Sequence, residues 1–166
     1  LDLIELPFDP GPDTEASGRG VPNYVAEVQI APDGLTGFVA SKKDNIARGQ
    51  FREGRPLTFE SRVRTVVSRF EVATGSAAVH RRLDINDRDL VLTTLVSPYA
   101  DLLFVASQGA SRVDVFDLAS GQRATQFDVG LAPQAMALEA STGRLAVFNS
   151  LSRSVSTFDV SGLLRG

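Results

Sequence analysis

Apolar and polar residues alternate in short runs along most of this 166-residue chain, and turn residues separate the runs. Val113-Asp114-Val115-Phe116-Asp117-Leu118 returns about 42 residues later as Val155-Ser156-Thr157-Phe158-Asp159-Val160. An earlier relative reads Val67-Ser68-Arg69-Phe70-Glu71-Val72. Each copy follows a partner run: Gly37-Phe38-Val39-Ala40-Ser41, Leu103-Phe104-Val105-Ala106-Ser107 and Ala146-Val147-Phe148-Asn149-Ser150. A period of two places Val113 and Val115 inward and Asp114 outward, as in a half-buried strand. No segment sustains helical i, i+3, i+4 apolar spacing over about ten residues, so the chain reads as all β.

A repeat of roughly 40 to 45 residues made of short strands is the mark of β-propeller blades. Each unit runs strand, turn, strand, loop, strand, turn, strand; in the middle copy the strands are predicted at 91–97, 102–107, 111–118 and 122–128. The reversals carry Asp33-Gly34, Ala73-Thr74-Gly75, Ala119-Ser120-Gly121 and Ser141-Thr142-Gly143, because glycine reaches positive φ without a Cβ penalty. The domain plan is a single partial propeller over 1–166: an outer strand at the opening and a loop (1–23), a blade with a long insertion at 42–64 (24–90), a second blade (91–133) and an incomplete third (134–166). That amounts to about two and three-quarter blades of four-stranded antiparallel sheet. Closed propellers have about four to eight blades, so the expected partners include the remaining blades of a larger parent, and two blade faces are expected to stand open.

Composition changes this picture in one place. Net charge is −3, which argues against a general nucleic-acid or membrane-surface binder, since those need a broad positive field. Yet residues 42–69 hold Lys42, Lys43, Arg48, Arg52, Arg55, Arg62, Arg64 and Arg69 against only Asp44, Glu53 and Glu60. The basic stretch coincides with about 20 residues inserted between the second and third strands of the first blade. With antiparallel strands, that loop shares a face with the links 84–89 and 128–133. Arginine forks pair with carboxylates and phosphates, so Lys42, Lys43, Asn45, Arg48, Arg62, Arg64, Asp87 and Arg88 are the candidate binding residues for a protein or anionic ligand. The competing reading is a solvated loop packed on its own Phe51, Leu57 and Phe59.

Other chemistry is sparse. The chain has no cysteine, which excludes thiolate metal sites, a cysteine nucleophile and a C-x-x-C-H haem attachment within it. No apolar stretch is long enough for a membrane span, no signal peptide opens the chain, and it begins at Leu1, which reads as a processed product or an excised piece. Asp84-Ile85-Asn86-Asp87-Arg88-Asp89 alternates oxygen ligands, but Arg88 at the fifth position and Asp89 in place of glycine at the sixth break the calcium-loop pattern. His80, the only histidine, falls in a predicted outermost strand beside Arg81 and Arg82, and one imidazole cannot build a metal site. Ser41, Ser107 and Ser150 recur at strand ends, and Phe38, Phe104, Phe116 and Phe158 recur at blade spacing, so both sets read as repeat architecture. No Gly-x-Ser-x-Gly elbow occurs.

The units Ala31-Pro32-Asp33-Gly34, Ser97-Pro98 and Gly130-Leu131-Ala132-Pro133-Gln134, with the partner runs above and Gly20-Val21-Pro22 as an opening element, resemble the bacterial and archaeal YVTN β-propeller repeats. The third copy departs from the pattern, with Ala140-Ser141-Thr142-Gly143 in place of Pro-Asp-Gly. The family includes surface-layer and secreted repeat proteins, lactonase-like propellers and amine dehydrogenase heavy chains. Its insertion is similar to that of propellers in exported proteins, some joined to c-type cytochrome modules. The resemblance implies a propeller fold and a periplasmic or extracellular location, and brings no catalytic residue to this chain. The function expected is a non-catalytic binding or scaffold segment with no cofactor of its own. The alternative is the propeller part of an exported redox protein whose c-type haem or quinone module lies outside this segment, and lactonase-like hydrolysis ranks last.

Overall fold

In the computed structural model, which describes residues 3–45, 64–86 and 88–164, three antiparallel sheets follow one another along the chain. The first contains β1 (Val21–Ile30), β2 (Thr36–Asp44), β3 (Arg64–Glu71) and β4 (Leu83–Asn86), and the second β5 (Val91–Val96), β6 (Leu102–Ser107), β7 (Arg112–Asp117) and β8 (Arg123–Asp128). The third has β9 (Pro133–Glu139), β10 (Arg144–Asn149) and β11 (Ser154–Asp159). In every sheet the strands pair in sequence order, as tight reversals require. The arrangement is a partial β-propeller of two complete blades and one of three strands.

Local chemistry makes the reversals. Gly75, Gly121 and Gly143 hold φ of +67°, +70° and +67°, and each donates its N–H to the carbonyl four residues back, on Glu71, Asp117 and Glu139. The Asp117 carboxylate accepts from the Ser120 hydroxyl and backbone N–H, and the Glu139 carboxylate does the same with Ser141. Those hydrogen bonds, the hydroxyl first, hold both carboxyl groups below the usual range.

Two cores lie between the blades. Phe38, Ala40, Val67, Leu83 and Ile85 of the first blade pack on Val91, Val96, Leu103, Val105 and Phe116 of the second. Leu102, Phe104, Ala106, Val113 and Val115 pack on Leu145, Val147, Val160 and Leu164. The middle blade is therefore covered on both sides, which is why β6 is an unbroken buried run while the outer strand β8 alternates from Ala124 to Asp128. Each fully buried Leu, Val or Phe contributes about 1.5–3 kcal/mol.

Four expectations are corrected. In the third blade, Leu145 pairs with Phe158 as Leu103 pairs with Phe116, so the structural equivalent of Ser107 is Asn149 and the predicted alignment was one residue late. A slip of one exchanges the faces: Phe148 faces outward, 46% exposed. Asp114 does not point to solvent but is fully buried, because the side of β7 away from the second core faces the first blade. His80 sits in a 3₁₀ turn, Val79–Arg81, since the outer edge of the first blade makes one isolated bridge, Phe70 to Ala77, before β4 resumes. The opening residues, described from Leu3, form no strand; their first pairing is the isolated bridge Asp9–Gly20. Pro7, Pro10 and Pro12 lack the N–H that a ladder needs.

That opening segment instead straps the first blade. Arg82 Nη2 donates to the Pro7 carbonyl at 2.6 Å, and Ile4 Cγ1 lies 3.3 Å from where a Cβ on Gly75 would stand. On the strapped side Val39, Val66 and Phe70 are buried. At the other end, Phe148 and Val155, 46% and 59% exposed, share an apolar face of the third blade that no described residue covers.

Candidate functional site

Strand direction sorts the loops onto two faces. Tight turns 31–35, 72–78, 97–101, 118–122 and 140–143 occupy one. The stem of the insertion, the link from β4 to β5, the link from β8 to β9 and the turns after β6 and β10 occupy the other, as the sequence predicts. The insertion face is braced within itself: Gly109 N–H donates to Asp89 at 2.8 Å, Leu131 N–H to Ser152 Oγ at 2.5 Å, and Ser150 Oγ to the Ala132 carbonyl at 3.0 Å.

Of the eight candidate residues, Arg48, Arg62 and Asp87 lie outside the described residues. Lys42 sits near the rim with its side chain 29% exposed, 2.9 Å from Asp44 and 5.1 Å from the Tyr24 ring centroid. Asn45 is half-buried just past β2.

Lys43 and Arg64 are opposite each other in the β2–β3 ladder and point under the strap. Lys43, 3% exposed, donates to Asp9 at 2.7 Å, to Asp84 at 2.6 Å and to the Gly18 carbonyl at 2.6 Å. Three ammonium protons thus meet three acceptors. Arg64, 2% exposed, donates from Nη2 to the Thr14 carbonyl at 2.5 Å, and Nε and Nη1 are buried without a hydrogen-bond partner among the described residues. Gly18 passes so close that a Cβ there would stand 2.5 Å from Arg64 Nε. Within the strap, partial burial pushes the Asp13 carboxyl up, but hydrogen bonds and charge from Arg19 prevail and hold it below the usual range.

Arg88 is likewise turned inward. Its Nε donates to Asp114 Oδ2 at 3.1 Å, while Arg123 Nη1 donates to Oδ1 of the same carboxylate at 3.2 Å. Two guanidinium groups accompany one fully buried charge, the condition under which such burial is tolerated. Lys43, Arg64 and Arg88 therefore have structural partners, and Lys42 remains the accessible cation of the described set. Sequence reading missed Asp9, Gly18 and Asp84 as partners of Lys43. Missed too was Glu27, whose carboxylate takes the Thr94 N–H at 2.5 Å and the hydroxyls of Thr93 and Thr94 at 3.3 and 3.2 Å, tying β1 to β5. The Asp-rich opening loop was the one available signal, and nothing local says which lysine it meets. Among the described residues no group of three or more His, Cys, Asp or Glu side chains could hold a metal ion, and no helix is long and apolar enough to cross a membrane.

No family model and no curated protein matches the chain. Solved structures do resemble it. Hydrazine synthase of Kuenenia stuttgartiensis superposes with a TM-score of 0.62 at 14% identity over 85% of this chain and 51% of that one. U3-55K gives 0.58 at 17% identity over 83% and 36%, and the WD40 repeats of RRP9 give 0.57 at 17% over 83% and 36%. The chain thus spans about half of the first structure and about a third of the other two. At these identities the likeness speaks of fold, and the fold is that of a β-propeller.

Proposed function

We propose that the chain is a non-catalytic binding or scaffold segment of a larger propeller, joined to further blades through the open face of the third blade and meeting a protein or anionic partner through the insertion face. The observation that carries the reading is the pairing of an uncovered apolar blade face at Phe148 and Val155 with a basic insertion rooted between β2 and β3 on the loop face. Loops on a rigid repeat scaffold are where such proteins place recognition. Lys42 is accessible there, and Arg48 and Arg62 belong to the same insertion, whereas Lys43, Arg64 and Arg88 organise the scaffold beneath. An exported location and YVTN membership belong to the same proposal, supported by the repeat motifs.

The test is retention on immobilised poly-glutamate at low salt. Replacing Lys42, Arg48 and Arg62 with alanine should abolish retention while thermal unfolding stays unchanged; equal retention by the triple variant rejects the assigned face. For the open blade, Phe148→Lys should shift the chain on size exclusion toward monomer, and identical elution would show that this face carries no association.

A further inference from the structure

A second surface, on the face opposite the insertion, is better furnished than the one the sequence singles out. Between the outer halves of the first and second blades lies an open cleft of about 1030 Å³. The turn after β7 and the turn between β5 and β6 form one wall, and β3, β4 and the 3₁₀ turn before it form the other. The floor is the edge of the first interblade core, where Leu83 and Phe116 keep a sliver of exposure and the partly buried Ala100 and Leu118 pack against them. Its rim carries Arg69, Arg81, Arg82, Arg123 and the single histidine, His80.

The carboxylates lining the cleft are Asp84 and Asp101. Asp84 is engaged by Lys43 and the Gly18 N–H, and Asp101 accepts from the Ser97 hydroxyl. Arg123 shares Asp114 with Arg88. Arg69 and Arg81 form no ion pair among the described residues; Arg69 reaches only the Thr36 hydroxyl, at 3.5 Å, and leans on the Phe38 ring at 5.9 Å. Arg82 Nη1 is buried without a hydrogen-bond partner among the described residues. Burial lowers the affinity of Arg82 for its proton, with Asp9 and Asp84 opposing. The cleft therefore combines an apolar floor, a surplus of guanidinium donors and a volume at the upper limit of small-molecule sites, about 300–1,000 Å³.

We infer that this interblade cleft binds an amphiphilic anion, a carboxylate carried on an apolar body, with Arg69 and Arg81 holding the head and the floor of Leu83, Phe116 and Leu118 receiving the body. The site is built wholly from the first two blades and the strap, so it does not depend on blades beyond this chain. Its lining reaches Asp84, the partner of Lys43, but does not include Lys42.

Titration of the intact chain with octanoate, followed by calorimetry and by the imidazole proton signals of His80, tests the assignment. Because His80 is the only histidine, its signals report on the cleft without any substitution. Octanoate should bind and move those signals, while acetate, which has the head alone, and 1-octanol, which has the body alone, should bind at least tenfold more weakly. Arg69→Gln with Arg81→Gln should weaken octanoate at least tenfold, and Lys42→Gln on the opposite face should leave it unchanged. Failure of octanoate to bind or to move the His80 signals overturns the proposal, as does acetate or 1-octanol binding equally well. Should the double variant unfold, the His80 titration of the unaltered chain decides the matter by itself.

Discussion

Replacing Lys43 with methionine removes a buried ammonium and keeps nearly the same side-chain volume, so the loss is electrostatic. The substitution removes the ammonium from two carboxylates, Asp9 and Asp84, 15% and 10% exposed, which keep the Gly11 and Gly18 N–H groups, and from one carbonyl, that of Gly18. Deleting one partner of a buried pair costs about 3–5 kcal/mol. The partial exposure of both carboxylates places this case at the low end, about 3 kcal/mol. If the strap and the blade unfold together, that equals a fall in Tm of about 6–12 °C for a domain of this size. If the strap peels away first, Tm falls less, and the same free energy appears as a roughly hundredfold faster exchange of the Asp9 and Gly20 amides, which bond each other's carbonyls. Circular dichroism melts and native-state amide exchange, run side by side, separate these cases. Lys42→Met is the control, because a half-exposed pair with Asp44 is worth about 1 kcal/mol at most. A Lys43→Met protein with wild-type Tm and wild-type exchange at Asp9 and Gly20 would refute the reasoning.

Other outcomes follow from the same geometry. Glu27→Ala leaves the buried Thr94 N–H without its acceptor and should cost about 2 kcal/mol in urea unfolding; no change in the urea midpoint would show that the β1–β5 tie is idle. Gly37→Ala would set a Cβ 2.0 Å from the Phe70 ring and should destabilise by about 1–3 kcal/mol through overpacking, with part of the loss recovered when Phe70→Leu is added. The Asp117 carboxyl should titrate below the ordinary range in NMR, and Ser120→Ala should return it toward that range, since the hydroxyl is the leading cause. A folded value below the unfolded one means that this turn's contribution is present above the unfolded pKa and is lost as pH falls through the folded value; a stability that rises on acidification through that window would contradict the sign.

Strand order, blade count and turn positions were legible in the chain because they rest on neighbours in sequence. Period-two runs and glycine at positive φ specify β5 through β8 to within a residue or so. Where the reading slipped, the cause was also local: the run Leu145–Phe148 fits either register on hydrophobicity alone, and only pairing with Phe158 fixes it. Asp114 was misplaced because alternation distinguishes two sides of a strand without saying that both are covered.

The candidate face was legible only in outline. Eight basic residues in one stretch announce a charged insertion, and antiparallel topology puts its stem on the loop face. Which cations stay available is a tertiary matter. Lys42 and Lys43 are adjacent and chemically identical, yet one lies at the rim and the other under a strap anchored 34 residues away at Asp9 and 41 residues away at Asp84. The repeat spacing alone determined that this polypeptide makes propeller blades, since hydrogen-bonded hairpins are encoded within a few residues of each turn. Burial of Lys43, the pairing of Arg88 with Asp114 and the cationic cleft between blades were decided by packing, because side chains distant in sequence acquire partners only when sheets come face to face.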